Sequence, residues 1–138
     1  MIIKNEFTRI METQTEIALA TSNNNEPNVR IVNYYYDITA NTLFFTTFGD
    51  NDKVKEFEAN PNIAFTTIPP NGNEHIKAQG IVQKSDYRIF DIADKFISKI
   101  DGYKDTIDEV GEYLVLYEVK FKTAKVILDL ENIHMITL

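Results

Sequence analysis

Residues 16–84 form a series of β-rich segments that are separated only by short turns, and this pattern limits the fold strongly. Valine, isoleucine, phenylalanine, tyrosine and threonine, which favour strands, dominate the segments. The turns between them carry asparagine, glycine and proline, which are typical of tight chain reversals. The segments predicted as strands are 16–22, 28–37, 42–48, 62–68 and 75–84.

Helices are predicted around these strands. Apolar residues at helical spacing predict helices over 3–12 and 52–59, a third from Ser85 or Asp86 to Ile100, and a further helical turn at 103–110.

The C-terminal part adds strands. Tyr113–Leu128 predicts two strands with a break near Lys122, and Glu131–Leu138 is compatible with one short strand. Six or seven consecutive strands with short turns favour an antiparallel β-barrel, because closure removes exposed edges. We therefore expect one mainly β domain over residues 1–138, an α+β barrel with helices at its corners.

Composition excludes several classes of protein. The 138 residues carry 14 Lys and Arg against 21 Asp and Glu, a formal net charge of -7, which disfavours nucleic-acid binding. No apolar run approaches the roughly 20 residues of a membrane helix, and the first twelve residues lack the apolar core of a signal peptide. We expect a cytoplasmic protein with no nucleic-acid or membrane partner.

Metal and covalent hydrolase chemistry are disfavoured. Cysteine is absent, and the two histidines, His75 and His134, lie far apart in the sequence. The three serines, Ser22, Ser85 and Ser98, do not occur in a nucleophile-elbow motif. We expect no metal site.

A candidate anion site occurs where the third strand leads into a helix. Thr47 and Lys53 flank a polar loop, and backbone N–H groups at a helix start can bind a phosphate. Arg30 on the preceding strand would add a second cation if the two strands form a hairpin. Asp50 and Asp52 oppose an anion there. A solvated lysine and an outward-facing arginine remain the alternative.

These features together resemble the pyridoxamine 5'-phosphate oxidase-like proteins, the flavin-binding split barrels. The resemblance covers roughly residues 16–84 and, more weakly, the C-terminal strands. It is carried by the order and spacing of six short motifs at 18–21, 27–32, 43–47, 53–57, 60–65 and 76–80. It implies an antiparallel split β-barrel that is dimeric and binds flavin mononucleotide (FMN).

The resemblance also implies roles for individual residues. Arg30 and Lys53 match the phosphate-binding arginine and lysine, and Asn51 beside Asp52 falls where a phosphate-binding serine is frequent. The strand residues Ile31, Val32 and Asn33 match the strand along the flavin ring, and Thr46 and Thr47 match the strand-end pair that contacts it. His75 falls where the partner protomer usually reaches the flavin. The predicted cofactor-binding set is therefore Arg30, Ile31, Val32, Asn33, Thr46, Thr47, Asn51, Asp52, Lys53 and His75.

The implied assembly is a homodimer with two cofactors at its interface. In the arrangement that the resemblance implies, His75 contacts the flavin only from the partner, and the apolar stretch Tyr113–Leu128 exceeds what a small monomer is expected to expose.

The implied activity is that of a flavin-dependent oxidoreductase on an unknown small molecule. The C-terminal substrate motif of the true oxidase contains arginine, whereas Glu131–Leu138 has none, which argues against pyridoxamine phosphate oxidation. No catalytic acid or base is assigned, and ordinary strand packing is favoured for Tyr34, Tyr35 and Tyr36 over a place in a pocket. The alternatives are a flavin, haem or deazaflavin binding module without turnover, and a cofactor-free dimeric interaction protein.

Overall fold

The structure is a computed structural model that describes residues 1–49 and 52–138, without the side chains of Asp52 and Lys53. Its helices are α1 (Ile3–Thr13), α2 (Asp52–Ala59), α3 (Ala93–Lys99) and α4 (Tyr103–Val110). Its strands are β1 (Glu16–Asn23), β2 (Glu26–Asp37), β3 (Thr42–Phe48), β4 (Asn62–Thr67), β5 (His75–Lys84), β6 (Leu114–Lys120), β7 (Thr123–Ile127) and β8 (Ile133–Thr137).

Six strands close into an antiparallel barrel in the order β4-β1-β2-β3-β6-β5, with β5 pairing back onto β4. The β1–β2 turn shows why the strands follow one another so closely. Asn24 and Asn25 adopt positive φ angles of 52° and 65°, the backbone that a two-residue hairpin turn requires. The predicted antiparallel split barrel is confirmed.

The strand β5 pairs with two partners on one side, β7 near its start and β6 near its end. Three β5 residues lie between the pairs Lys77↔Lys125 and Ile81↔Lys120, whereas four residues lie between the same pairs on the β6–β7 side. The β6–β7 side therefore bulges by one residue. The strand β8 then pairs with β7 outside the closed barrel. The described residues thus contain eight strands, more than the six or seven predicted.

The barrel interior is one hydrophobic core, and α1 contributes Phe7, Ile10 and Met11 to it. A second, smaller core lies where α3 and α4 cover Phe44 of β3 and Leu116 of β6. The helices therefore leave other outer strand faces uncovered. None of the described helices combines the length and apolar character needed to cross a membrane.

The third helix begins later than predicted. Ser85 accepts a hydrogen bond from the Tyr87 amide at 3.1 Å and donates to Glu118 at 2.6 Å, which holds the chain in a turn. A 3₁₀ segment, Ile89–Ile92, follows before α3 starts. The expected start at Ser85 or Asp86 is therefore wrong, because side-chain bonds there replace helical ones.

Candidate functional site

The pairing of β2 with β3 is incomplete, and this opens the barrel on one side. The ladder runs from Asp37↔Thr42 to Tyr34↔Phe45 and stops there. Beyond that point β2 continues along β1, and β3 continues along β6. The two strands are therefore split at this end of the barrel.

Backbone polar groups face this split. The Tyr34 amide donates to Thr15 on the β1 side at 3.1 Å, and the Gly49 amide donates to Tyr113 on the β6 side at 3.2 Å. Because backbone groups alternate in direction along a strand, those of Ile31 and Asn33 face the split from β2, and those of Thr46 and Phe48 face it from β3. Such groups are strong donors and acceptors for a ligand that lies between the strands.

The split forms a cleft of about 230 Å³. One wall is the edge of β2 and the other is the end of β3, while α4 covers the outer side. The Tyr103 hydroxyl of α4 lies 2.7 Å from the Thr46 hydroxyl, so the helix is tied to the strand end. The cleft is lined by Ile31, Val32, Asn33, Thr46, Thr47, Phe48, Tyr103, Thr106, Val110 and Leu114.

Thr47 provides a buried polar atom that is left unsatisfied. Its Oγ1 has no hydrogen-bond partner in the described part of the chain, although the residue is buried. An unpaired buried hydroxyl costs roughly 1–3 kcal/mol, so such groups are rare unless a ligand or water completes them. Because Thr47 also lines the cleft, a ligand with hydrogen-bonding atoms there is a candidate partner for this hydroxyl.

Arg30 lies on the same strand as Ile31 and is already paired. Its Nη2 donates to Glu56 Oε2 of α2 at 2.5 Å, and its Nη1 donates to the Thr21 hydroxyl at 2.9 Å. Hydrogen bonds from Thr21, Asn28 and Arg30 hold the pKa of Glu56 at about 2, despite partial burial. Side chains alternate between the two faces of β2, and Arg30 lies on the same, inward face as the buried residues of that strand. The alternative of an outward-facing arginine is therefore wrong.

The structure brings together five predicted residues, Ile31, Val32, Asn33, Thr46 and Thr47, in the cleft. Asn51 lies outside the described residues, as do the side chains of Asp52 and Lys53. Arg30 contacts Glu56 of α2, one helical turn beyond Lys53 in the sequence.

His75 does not reach the cleft of its own protomer. It lines a separate depression with Asn73 and Leu128, and its Nδ1 lies 2.6 Å from the Asn73 carbonyl oxygen. Three inter-strand spacings, roughly 14 Å, separate β5 from β2 around the barrel. Its predicted contact with a flavin therefore depends on a partner protomer.

Sequence reasoning missed the parts that α4 and Glu56 play in the site. No local pattern brings Tyr103 to Thr46, since they are far apart in the chain and meet only through packing. Glu56 was recognisable as a carboxylate on the helix that carries Lys53, but its pairing with Arg30 is a tertiary contact.

The three consecutive tyrosines of β2 take part in packing. Tyr34 and Tyr36 are buried in the barrel core, and Tyr35 stacks on Phe44. Strand packing is therefore confirmed for Tyr34, whereas Tyr35 and Tyr36 pack in the sheet and also line a depression beside α3.

A second surface lies on the outside of the barrel. Small side chains on β1 and β4 line a concave area of about 470 Å³, together with Val29, Met135 and two lysines, Lys77 and Lys125. Val29 and Met135 are 64% and 63% exposed, and Ile31 and Ile81 are also exposed. By contrast, most apolar residues of Tyr113–Leu128 are buried, so the expectation that this stretch is exposed is wrong.

Comparison with known proteins gives one family match. The model of a family described as pyridoxamine 5'-phosphate oxidase-like matches residues 10–133. A comparison of the sequence with curated proteins gives no match.

Several solved structures share the fold. General stress protein 26 of Bacillus anthracis has a TM-score of 0.78 at 18% identity, with all of both chains covered. A FAD-binding protein of Mesorhizobium loti has a TM-score of 0.66 at 13% identity, over 87% of this chain and 90% of that one. A haem-binding protein of Mycobacterium smegmatis has a TM-score of 0.74 at 10% identity, over 93% of this chain and 55% of that one. At these identities the likeness supports the fold.

Proposed function

The chain belongs to the pyridoxamine 5'-phosphate oxidase-like family, and we propose that it binds FMN in the split between β2 and β3 and acts as an oxidoreductase on a small molecule. The observation that carries this proposal is the buried Thr47 hydroxyl, which has no partner among the described residues and belongs to a residue that lines a cleft edged by backbone polar groups.

The residues predicted to bind the cofactor divide into two groups for this ligand. Ile31, Asn33, Thr46 and Thr47 would hold the ring system through backbone groups and hydroxyls. Arg30, Lys53 and Asn51 would hold the phosphate, as the family resemblance implies. When bound, the flavin supplies the redox chemistry, accepting and passing on a hydride or electrons.

The protein's own contribution is to position the ligand and exclude water. Tyr103, Val110 and Leu114 close the outer side of the cleft with largely apolar surface. Burial raises the pKa of the Tyr103 phenol, which therefore stays protonated and offers a hydrogen-bonding hydroxyl. The described lining residues include no carboxylate, lysine or histidine, so they provide no general base in one protomer.

We also propose a homodimer, in which the concave outer face of β1 and β4 lies against a second copy. Exposed apolar residues on β2 and β8 beside small residues on β1 give a surface suited to close sheet contact. The predicted contact of His75 with the flavin requires such a second copy. No membrane or nucleic-acid partner is part of the proposal, and we place the protein in the cytoplasm.

The direct test is the purified protein itself. We expect a yellow protein that absorbs near 450 nm and releases FMN on denaturation, identified by mass. Thr47→Val should retain less of it, whereas Thr39→Val, on the exposed β2–β3 turn, should retain as much as the wild type. A colourless protein that takes up neither FMN nor riboflavin would disprove the proposal, and reduction by a nicotinamide donor with turnover would separate an enzyme from a storage module.

Haem is the second candidate. The His75 Nδ1 contact with the Asn73 carbonyl leaves Nε2 available as an iron ligand, and Ile127, Leu128 and Leu130 add apolar surface in the same depression. A Soret band near 400 nm that is lost in His75→Ala and kept in His134→Ala would favour haem over flavin.

A further inference from the structure

Arg30, to which the proposed function assigns the phosphate, is already paired with the carboxylate of Glu56. Arg30 Nη2 lies 2.5 Å from Glu56 Oε2, and the two side chains are only 13% and 17% exposed. Because the pair is shielded from water, the positive charge of Arg30 is largely neutralised before any ligand arrives.

Glu56 is held firmly in this position. Its Oε2 also accepts a hydrogen bond from the Thr21 hydroxyl at 2.7 Å, and its Oε1 accepts one from the Asn28 amide at 3.0 Å. These bonds keep its pKa at about 2, so the carboxylate stays charged at any ordinary pH. Protonation therefore cannot release Arg30 for a ligand.

We propose that Glu56 sets the preference of this site for phosphorylated over unphosphorylated flavin by competing with the phosphate for Arg30. The inference rests on the proposed flavin site. A phosphate must either displace Glu56 from Nη2 or bind the remaining N–H groups beside a like charge, and both oppose it. Riboflavin has no phosphate and meets no such opposition.

The opposite role would be a positioning residue. In that case Glu56 and Thr21 hold the guanidinium in the orientation that the phosphate needs, and removing the carboxylate weakens FMN binding. The two roles predict effects of opposite sign on FMN affinity, so one substitution distinguishes them.

The test is the substitution Glu56→Gln, which keeps side-chain volume and one oxygen acceptor but removes the charge. The matched control is Glu58→Gln, an exposed residue of the same helix. FMN and riboflavin affinities are titrated at one fixed salt concentration. We expect Glu56→Gln to bind FMN about 5- to 20-fold more tightly, with riboflavin changed less than about twofold and Glu58→Gln close to wild type for both. FMN binding that is unchanged or weaker in Glu56→Gln would overturn the proposal.

Inorganic phosphate separates this proposal from the flavin proposal. If wild type and Glu56→Gln bind neither flavin, the proposed function is wrong, and the role of Glu56 is decided by phosphate alone. Phosphate should then raise the Tm of Glu56→Gln more than that of wild type or Glu58→Gln, and equal shifts would overturn the competition. If Glu56→Gln does not fold, Glu56→Asp withdraws the carboxylate by one methylene, and the same criteria apply to it.

Discussion

Arg30 and Thr47 lie on neighbouring strands, and their polar groups are in opposite states. The guanidinium of Arg30 has internal partners, Glu56 and Thr21, whereas the hydroxyl of Thr47 has none among the described residues. Binding at Arg30 therefore replaces an existing contact, while binding at Thr47 completes a missing one. A substitution that removes the Thr47 hydroxyl should therefore have opposite effects on the stability of the fold and on ligand binding.

Thr47→Val should stabilise the protein and weaken flavin binding. The change removes an unsatisfied buried hydroxyl, so we expect the free energy of unfolding to rise by about 1 kcal/mol. FMN and riboflavin should each bind roughly tenfold more weakly, because the proposal assigns the lost hydroxyl to the ring part of the site. Urea unfolding and flavin titration measure the two effects.

Thr46→Val is the control for the stability effect, since it deletes a hydroxyl that is bonded to Tyr103 and should lower stability. If Thr47→Val is as destabilising as Thr46→Val, the Thr47 hydroxyl is satisfied in solution.

Glu56 should make the fold sensitive to acid. Its folded pKa of about 2 lies below the ordinary value near 4.5, so its contribution to stability is complete above about pH 5. The contribution is lost as the pH falls from there toward 2, because the unfolded state then binds the proton more strongly. Unfolding free energies between pH 7 and 3 should fall less steeply in Glu56→Gln than in wild type, and parallel curves would show that the carboxyl is not held as described.

Lys53→Ala should weaken FMN binding by roughly ten- to hundredfold and leave riboflavin binding nearly unchanged. The family resemblance assigns this lysine to the phosphate, which riboflavin lacks, and a charge-assisted contact is worth about 1.5–3 kcal/mol. Lys55→Ala, an exposed lysine of the same helix, is the control and should change neither affinity. Equal losses for both flavins in Lys53→Ala would assign the lysine to the fold.

Local sequence patterns are sufficient to predict the boundaries of several helices and strands. The β3, α2 and β5 boundaries agree with the predicted ones because turn residues flank them, and the Asn24–Asn25 turn follows from the tolerance of asparagine for positive φ. The sequence does not predict the residue at which pairing between β2 and β3 ends, because this depends on how the two strands diverge in the folded barrel. The packing of α4 against Thr46 is equally a tertiary contact. The sequence therefore predicted the strand residues of the cleft but not the helix that covers its outer side.

Gly80 lies where a side chain would collide with the neighbouring strand. A Cβ there would lie 2.5 Å from the Lys120 carbonyl oxygen, at the bulge where β5 changes partner from β7 to β6. Gly80→Ala must move backbone and should lower the free energy of unfolding by about 1–3 kcal/mol.

Gly72→Asn is the matched control for this prediction. Gly72 has a φ of +73°, which asparagine tolerates, and a Cβ at this position would have open space within 4 Å. Thermal unfolding of both variants decides the point, and a Gly80→Ala variant as stable as Gly72→Asn would show that the bulge is adaptable.

At the scale of the whole molecule, the covered and uncovered sheet faces have different compositions. Where α3 and α4 lie on β3 and β6, the outward side chains include Phe44 and Leu116, which form a second core. On β1 and β4 the outward positions are small, with Ala18, Ala20 and Ala64. Small residues permit close approach of another surface, which is why the second copy is placed there.

The dimer and the flavin site should therefore be lost together. Val29 is 64% exposed on β2, lines the concave face and lies two residues from Ile31 of the cleft. Val29→Asp places a charge in the proposed interface, where removing a carboxylate from water is costly, so we expect monomers and strongly reduced FMN retention. Ile38→Asp, at the exposed β2–β3 turn, should remain dimeric and retain FMN.

Sedimentation at micromolar concentration with absorbance at 450 nm reports both properties at once. A wild-type monomer that retains FMN would show that one protomer suffices, and it would remove His75 from the site.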